Sequence, residues 1–374
     1  MKVFFKITVV RFILLSLLLI ILFTVTEVAI HSKTENKATI VTATTVATAT
    51  ATKKAADPLF QDFVRVCGVY LCIDGKQWEP YFASTYAASH HLEWDIMAAV
   101  EGHLNTLRIN NFLSSDGNPT IAPYDEAHWE FVDQLVASAR SQGLHVVFDL
   151  SAYRNLTTQG GTQNPYLVDW KPFLTFVMHR VNTVTKVRYG DDTTIAMFAL
   201  AGEVTPPNGT NTEHVTTPQI NTFFARTAHE FKALDHNHIL SPGGLYQLNW
   251  NSGVDYQTIF STSGIDVCAV HAPYTGGDAS ITSQFCGRIH KPWIWEEFFQ
   301  PQSIGDQARA QFYQQTYNAG KQLHDAGIGF WNLGPGLWAE NDDVGPQTPL
   351  TWQVIIKNAP PPLQCKPGNN SYRS

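Results

Sequence analysis

The sequence predicts an α/β fold, a (β/α)8 TIM barrel formed by a single catalytic domain. Short apolar segments rich in β-branched residues alternate with amphipathic segments, and eight such units can be counted along the 374 residues. The short segments are apolar on both faces, which is typical of parallel strands covered by helices. Eight units favour a closed barrel over an open doubly wound sheet, and no G-x-G-x-x-G turn follows the first strand, as the dinucleotide-binding form of that sheet would need.

The predicted strands share a high content of apolar and β-branched residues. They cover residues 79–87, 104–112, 144–151, 195–204, 238–244, 265–274, 291–299 and 328–336. Helices are predicted between them at 125–143, 170–190, 220–235 and 306–327. In the first of these helices apolar residues recur at helical spacing and Gly143 ends the pattern.

A hairpin is predicted just before the first barrel strand. It covers residues 63–80, and Asp74-Gly75 is a turn signal within it. One barrel takes about 250 residues, so a single domain accounts for most of the chain.

The two ends of the chain differ in composition from the domain. Basic residues within 1–11 precede an uncharged apolar segment, 12–25, so residues 1–32 are predicted to be a signal peptide or a signal anchor. Residues 33–57 are rich in Thr and Ala and are predicted to be a linker, 58–357 the (β/α)8 domain, and 358–374 a flexible tail. We therefore expect a secreted or extracellular protein, with a membrane anchor at the N-terminus as the alternative.

The composition narrows the class of partner. The net charge of -7 argues against a nucleic-acid partner, which would need a basic face, and suits a neutral substrate. The 10 Trp and 13 Tyr supply flat rings on which sugars can stack, although many of them are expected in the core. None of the 5 cysteines forms a CxxC pair. Disulfides Cys67–Cys72 and Cys268–Cys286 are plausible in an oxidising compartment, with free thiols as the alternative.

Polar residues stand at the carboxyl ends of the predicted strands, where barrels of this type carry their chemistry. Glu203 follows the run IAMFALAG and Glu297 follows PWIWE. A buried carboxylate is costly unless it is paired, so these positions indicate functional groups rather than salt bridges at the barrel rim. Carboxylates on the fourth and seventh strands would face each other across the mouth. Hydrolysis of a glycoside with retention needs such a pair, about 5–5.5 Å apart.

These segments resemble glycoside hydrolase family 5 of the retaining barrel glycosidases. The resemblance rests on LRIN, GEV, HAPY, KPWIWEEFF and the Trp after GIGF, covers most of residues 62–340, and is closest to the endo-β-1,4-mannanases. It implies Glu203 as acid/base and Glu297 as nucleophile, with the reverse order of Glu296 and Glu297 as the alternative. The substrate-binding residues that it implies are Arg108 beside the nucleophile, His271, Tyr274, Trp331, the supporting Glu296, and Asn110.

The resemblance implies a retaining endo-β-glycosidase acting on β-1,4-linked polysaccharide, with mannan first and glucan second. One departure favours an alternative, a weak or inactive carbohydrate-binding barrel. Gly202 stands where the family has an Asn that bonds the sugar 2-hydroxyl. No cofactor or metal is implied, because the histidines 90, 91 and 271 are too scattered in sequence for a convincing metal-dependent hydrolase. A monomer acting on a polysaccharide or oligosaccharide is expected.

Overall fold

The structure is a computed structural model. It describes residues 62–85, 91–110, 112, 122–158, 164–204, 215–249, 252–272, 276–336 and 342–362. The predicted leader and linker and most of the predicted tail lie outside these residues. Within them, no helix has the length and apolar character that a membrane span requires.

Eight parallel strands form the barrel. They are β4 (Tyr81–Thr85), β5 (Thr106–Ile109), β6 (His145–Asp149), β7 (Ile195–Ala199), β8 (Ile239–Ser241), β9 (Cys268–His271), β10 (Trp293–Glu297) and β11 (Ile328–Phe330). Their order in the sheet is β8-β7-β6-β5-β4-β11-β10-β9. The chain after β8 closes the ring, because the N–H of Leu245 donates to the carbonyl of Ala269 at 2.9 Å and the N–H of His271 donates to Leu245 at 2.8 Å. The predicted (β/α)8 barrel is confirmed.

Helices surround the strands. They are α1 (Leu92–Glu101), α2 (Glu126–Ser141), α3 (Ser151–Thr158), α4 (Lys171–His179), α5 (Thr217–Leu234), α6 (Tyr256–Ser261), α7 (Gly277–Arg288), α8 (Asp306–Leu323) and α9 (Pro349–Asn358), with 3-10 turns at Pro165–Leu167, Tyr189–Asp191 and Gln302–Ile304. Four of these helices were predicted individually, and α2 and α8 begin within a residue of the prediction.

The helix predicted over residues 170–190 is wrong beyond His179. The chain leaves the helix at Arg180, whose guanidinium binds the buried carboxylate of Asp133 at 2.8 Å. The side chain of Asn182 then accepts hydrogen bonds from the N–H groups of Val184 and Thr185, at 2.8 and 2.9 Å. This local turn uses backbone N–H groups that a continuing helix would need. The β-branched residues that follow Arg180 have a low helix propensity and do not favour the helix over the turn.

Before the barrel, three strands form a small antiparallel sheet where a single hairpin was predicted. They are β1 (Arg65–Cys67), β2 (Tyr70–Ile73) and β3 (Lys76–Trp78). The predicted Asp74-Gly75 turn joins β2 to β3, and both residues have positive φ, 51° and 69°. Disulfides link Cys67 to Cys72 and Cys268 to Cys286, as the sequence had left plausible.

Two apolar layers flank the barrel strands. Side chains such as Val147, Met197 and Ile294 belong to the cluster that fills the barrel interior. Alternate residues, such as Phe148 and Phe198, lie in the larger cluster between strands and helices, which also holds Trp129. This alternation fixes which residues at the strand ends face the barrel axis.

Candidate active site

Strand alternation directs polar side chains into the carboxyl end of the barrel. Val147, Ala269 and Ile294 face the interior. Two residues further along the same strands, Asp149, His271 and Glu296 therefore face the same way. All three are at most 3% exposed, so these polar groups lie in the barrel itself and not on its surface.

A bulge in β10 allows two consecutive glutamates to reach the site. In the ladder between β10 and β9, Trp295 pairs with Val270 and Glu297 pairs with His271, so one residue of β10 is skipped. Without this shift, Glu296 and Glu297 would face opposite sides of the sheet. The bulge turns Glu297 toward the axis beside Glu296, which is a frequent use of bulges next to active sites.

Arg108 holds the carboxylates at the base of the site. It is buried, and its guanidinium contacts the carboxylates of Asp149 and Glu297 directly and lies 3.7 Å from that of Glu296. It also donates to the hydroxyl of Ser84 at 2.9 Å. A guanidinium spreads its charge over several donors, and the negative charges around it raise its pKa although burial opposes this. Arg108 thus lies beside Glu297, where the family resemblance implied it, and its role in the reaction stays a prediction.

His271 bridges the two walls of the site. Its Nδ1 lies 3.0 Å from Glu203 and its Nε2 lies 2.9 Å from Glu296. Its Nδ1 is also 3.4 Å from the other predicted catalytic carboxylate, Glu297. Burial favours the neutral ring, but the charge of Glu297 and the hydrogen bonds to Glu203 and Glu296 raise the pKa of His271 to about 10. The ring is therefore an imidazolium near neutral pH and donates from both nitrogens.

Glu203 and Glu297 lie close together at the carboxyl end of the barrel. A carboxylate oxygen of Glu203, a carboxylate oxygen of Glu297 and a ring nitrogen of His271 all lie within 4.8 Å of one another. The two carboxylates differ in environment, since the side chain of Glu203 is 48% exposed and that of Glu297 is 11% exposed. The backbone carbonyl of Glu203 is held by the guanidinium of Arg154. Glu203 thus lies at the open edge of the site, whereas Glu297 lies at its base.

The pKa directions follow these environments. Burial raises the pKa of Glu297, although His271 and Arg108 act in the opposite direction. Burial also opposes ionisation of Glu203, but the hydrogen bond and charge of His271 outweigh it and lower the pKa. This order is the reverse of the one that a protonated acid/base and an ionised nucleophile require. Arg108 acts on Glu297 toward a lower pKa, but burial has the larger effect in the site without substrate.

The same three side chains could in principle hold a metal ion, since Glu203, His271 and Glu297 offer oxygen and nitrogen donors close together. A histidine that binds a metal must be neutral, however. Both ring nitrogens of His271 contact carboxylates, which keep the ring protonated. The donor set is better suited to sharing protons than to binding a cation.

The structure brings together five of the predicted site residues, Arg108, Glu203, His271, Glu296 and Glu297. Asn110 lies at the end of β5, and its buried Oδ1 has no hydrogen-bond partner among the described residues. Trp331 follows β11 and is half-buried, and its backbone N–H donates to the carbonyl of Phe298. Tyr274 lies outside the described residues.

Sequence reasoning did not assign a role to Asp149, Ser84, Arg154 or Gly244. Asp149 stands directly at the end of an apolar strand, which was a usable signal. Gly244 carried no such signal, yet its backbone N–H donates to Glu296 at 2.6 Å.

A closed (β/α)8 barrel with two carboxyl groups facing each other at the carboxyl end of its strands has the architecture of the retaining glycosidases. Comparison with known proteins agrees with this class. Residues 107–274 match a family model described as "GH family 5 beta-mannosidase-like". The matched segment is just under half of the chain, and its similarity to this family agrees with the resemblance seen in the sequence.

Two plant proteins and one fungal structure illustrate the similarity. The chain is 25% identical over 252 residues to mannan endo-1,4-beta-mannosidase 4 of Solanum lycopersicum, a match that covers 56% of this chain and 62% of the tomato protein. It is 25% identical to mannan endo-1,4-beta-mannosidase 1 of Oryza sativa subsp. japonica, over 79% of this chain and 85% of that protein. The structure of the endo-1,4-beta-mannanase from Rhizomucor miehei superposes with a TM-score of 0.67 at 18% identity, covering 80% of this chain and 98% of that one. At this identity the superposition shows the shared fold.

Proposed function

We propose that this protein is a retaining endo-β-glycosidase that hydrolyses β-1,4-linked polysaccharide, with mannan as the first candidate and glucan as the second. The observation that carries the proposal is the approach of Glu203 and Glu297, whose carboxylate oxygens lie within 4.8 Å. Inverting glycosidases keep their carboxyl groups about 6.5–9.5 Å apart to admit a water molecule between them and the sugar. The names of the plant relatives favour mannan.

In the proposed mechanism Glu297 attacks the anomeric carbon while the glycosidic C–O bond breaks. Glu203 gives its proton to the departing oxygen, which leaves as a hydroxyl group of the released sugar. Glu203, now a carboxylate, then removes a proton from water, whose oxygen attacks the anomeric carbon and frees Glu297. Two displacements at one carbon retain its configuration.

Substrate binding supplies the protonation order that the free site lacks. A sugar that covers Glu203 takes water away from a side chain that is 48% exposed, and loss of hydration raises the pKa of a carboxyl group. The developing positive charge on the sugar is closest to Glu297 and favours its ionised form. Because the acidic groups and His271 share protons within one cluster, they titrate together.

Other predicted residues take supporting roles in this proposal. Arg108 fixes Glu297 through its direct contact. Asn110 offers a sugar hydroxyl its carbonyl oxygen, which has no hydrogen-bond partner within the described part of the chain. Trp331 offers a ring for stacking, and Tyr274 is proposed to lie beside the reacting sugar, as the family resemblance implies.

A second candidate function is a carbohydrate-binding barrel with little or no catalysis. Gly202, next to Glu203, has no side chain for the 2-hydroxyl contact that stabilises the transition state in the family. This candidate predicts sugar binding without turnover.

Export is part of the proposal. The basic and apolar leader favours it, and so do two disulfides, since disulfides persist in oxidising compartments and are rare in the cytosol. We propose a secreted monomer, with the leader retained as an anchor as the alternative. Edman sequencing of the exported protein distinguishes these two forms.

The test is hydrolysis of β-mannan and β-glucan by the wild type, Glu203→Gln and Glu297→Gln, with the anomer of the first product read by NMR. We expect β-product from the wild type and a loss of activity of about 10³-fold or more in each variant, since nucleophile and proton transfer are both lost. Equal background in all three proteins, with oligosaccharide binding retained, favours the binding barrel. An α-product from the wild type contradicts retention.

A further inference from the structure

Behind the two proposed catalytic carboxylates lies a third, Glu296, that the mechanism above does not use. Glu296 is fully buried. Its Oε2 accepts from the Nε2 of His271 at 2.9 Å, and on the other side of the ring the Nδ1 of His271 lies 3.0 Å from Glu203. The three side chains form a continuous line, Glu296–His271–Glu203, that runs from the barrel interior to the exposed edge of the site. Here this line is called the carboxylate relay.

We propose that Glu296 is a positioning residue that holds His271 as an imidazolium with its Nδ1–H directed at Glu203, and so orients the acid/base toward the departing oxygen. This inference rests on the proposed roles of Glu203 and Glu297. The same arrangement serves both half-reactions. The hydrogen bond fixes one oxygen of Glu203 and leaves the other free to donate, and in the second step the imidazolium stabilises Glu203 as the ionised base.

The backbone of the segment after β8 holds the relay rigidly. The N–H of Gly244 donates to the same Oε2 of Glu296 at 2.6 Å, so this oxygen accepts two hydrogen bonds. Gly244 also lies directly against the imidazole, since a Cβ added there would be 1.8 Å from the Cδ2 of His271. The ring therefore has little freedom to rotate away from its two carboxylates.

Three carboxylates surround His271, and Glu296 is one of them. The ring faces Glu203 from the end of β7 and Glu296 and Glu297 from β10. Beyond them stand two guanidiniums. Arg108 contacts the carboxylates of Glu296 and Glu297, and Arg154 donates to the backbone carbonyl of Glu203. Glu297 is engaged mainly by Arg108 and Glu203 is half-exposed to water. Glu296 is the buried carboxylate that contacts the ring at hydrogen-bond distance, and its charge lies well within the range in which a negative group stabilises an imidazolium.

The first test measures the ring directly. In Glu296→Gln we expect the NMR titration of His271 to move to lower pH by about 1–3 units, the shift that one nearby opposite charge produces. The resonance is assigned by its loss in His271→Asn. This measurement does not need turnover, so it tests the relay even if the protein hydrolyses no glycan. If the midpoint of the His271 titration moves by less than about 0.3 pH units, the proposal is overturned.

The second test separates positioning of the acid from general damage. For an oligosaccharide substrate, kcat/KM of Glu296→Gln should fall about 10-fold to 100-fold, because the sugar leaving group needs the proton of Glu203. For a dinitrophenyl glycoside, whose leaving group needs no proton, kcat/KM should fall by less than about 3-fold. Equal losses on both substrates overturn the proposal, since they place the defect at the nucleophile or in the fold.

Two further variants serve as controls. Glu296→Asp keeps the charge and should restore part of the oligosaccharide activity, and it also keeps the test open if the glutamine variant fails to fold. Asp325→Asn removes a buried carboxylate that precedes β11, at the opposite end of the barrel, and should leave both rates unchanged. If Glu296→Asp folds and leaves the His271 titration unshifted but does not restore oligosaccharide activity, that result contradicts the carboxylate relay.

Discussion

Asp325 provides a stability prediction whose sign and size follow from its surroundings. It lies between α8 and β11, its Oδ2 is buried without a hydrogen-bond partner among the described residues, and Glu79 is close enough to repel it. Burial, with a smaller contribution from Glu79, raises the pKa of Asp325 from 3.8 to about 8. The folded protein therefore holds this proton more tightly than the unfolded chain. Stability from this group is fully present below pH 4 and is lost as the pH rises through about 8.

The replacement Asp325→Asn keeps the shape of the side chain and removes the titration. A shift from 3.8 to about 8 corresponds to at most about 6 kcal/mol, and because the residue is partly accessible to solvent we expect about 2–4 kcal/mol. Urea unfolding at intervals from pH 4.5 to 9 measures it, with exposed Asp62→Asn as the control for loss of one charge. The variant should match the wild type at the acid end and exceed it increasingly toward pH 9. A difference that is constant with pH refutes the reasoning.

Two further predictions concern the site. Arg108→Lys leaves Asp149, Glu296 and Glu297 around one compact ammonium. The free energy of unfolding should therefore fall by about 3 kcal/mol, and kcat/KM by at least about 100-fold. Calorimetry and steady-state kinetics measure these changes, and a melting temperature equal to that of the wild type would contradict the prediction. Asn110→Ala removes a buried oxygen that has no hydrogen-bond partner among the residues described, so stability should change by less than about 1 kcal/mol while kcat/KM on an oligosaccharide falls about 10-fold. A destabilised Asn110→Ala protein with wild-type kinetics would mean that Asn110 is a packing residue.

Much of the architecture was predictable because it depends on local patterns. Segments that are apolar on both faces predicted the parallel strands, and the rule that chemistry lies at their carboxyl ends selected Glu203 and Glu297. His271 was implied by the family resemblance. Arg108 was predictable for a different reason. An arginine inside an apolar strand requires a buried carboxylate, and the structure supplies two direct contacts.

The rest depends on contacts between segments that are distant in sequence. The early end of the helix after residue 170 depends on Asp133, which lies 47 residues from Arg180 and binds it only in the fold. The bulge that turns Glu297 beside Glu296 is a property of the ladder with β9 and leaves no mark in WIWEE itself. Asp149 becomes a partner of Arg108 only through the pairing of β5 with β6, which the composition of neither strand specifies.

The glycine before the acid/base shows how packing constrains the chemistry. Gly202 has a φ of +60°, a conformation that Asn tolerates better than most residues, so the backbone alone does not exclude the family's side chain. Space is the tighter constraint. A Cβ at Gly202 would lie 3.0 Å from the Cβ of Ser151, and the neighbouring Gly243 approaches so closely that a Cβ there would lie 2.3 Å from the nitrogen of Gly202. The exits of β7 and β8 thus pack backbone against backbone where the family places an amide. An enzyme with this packing must take its sugar-hydroxyl contact from another strand. We propose Asn110, just after β5, for this contact, because its buried Oδ1 has no hydrogen-bond partner among the described residues.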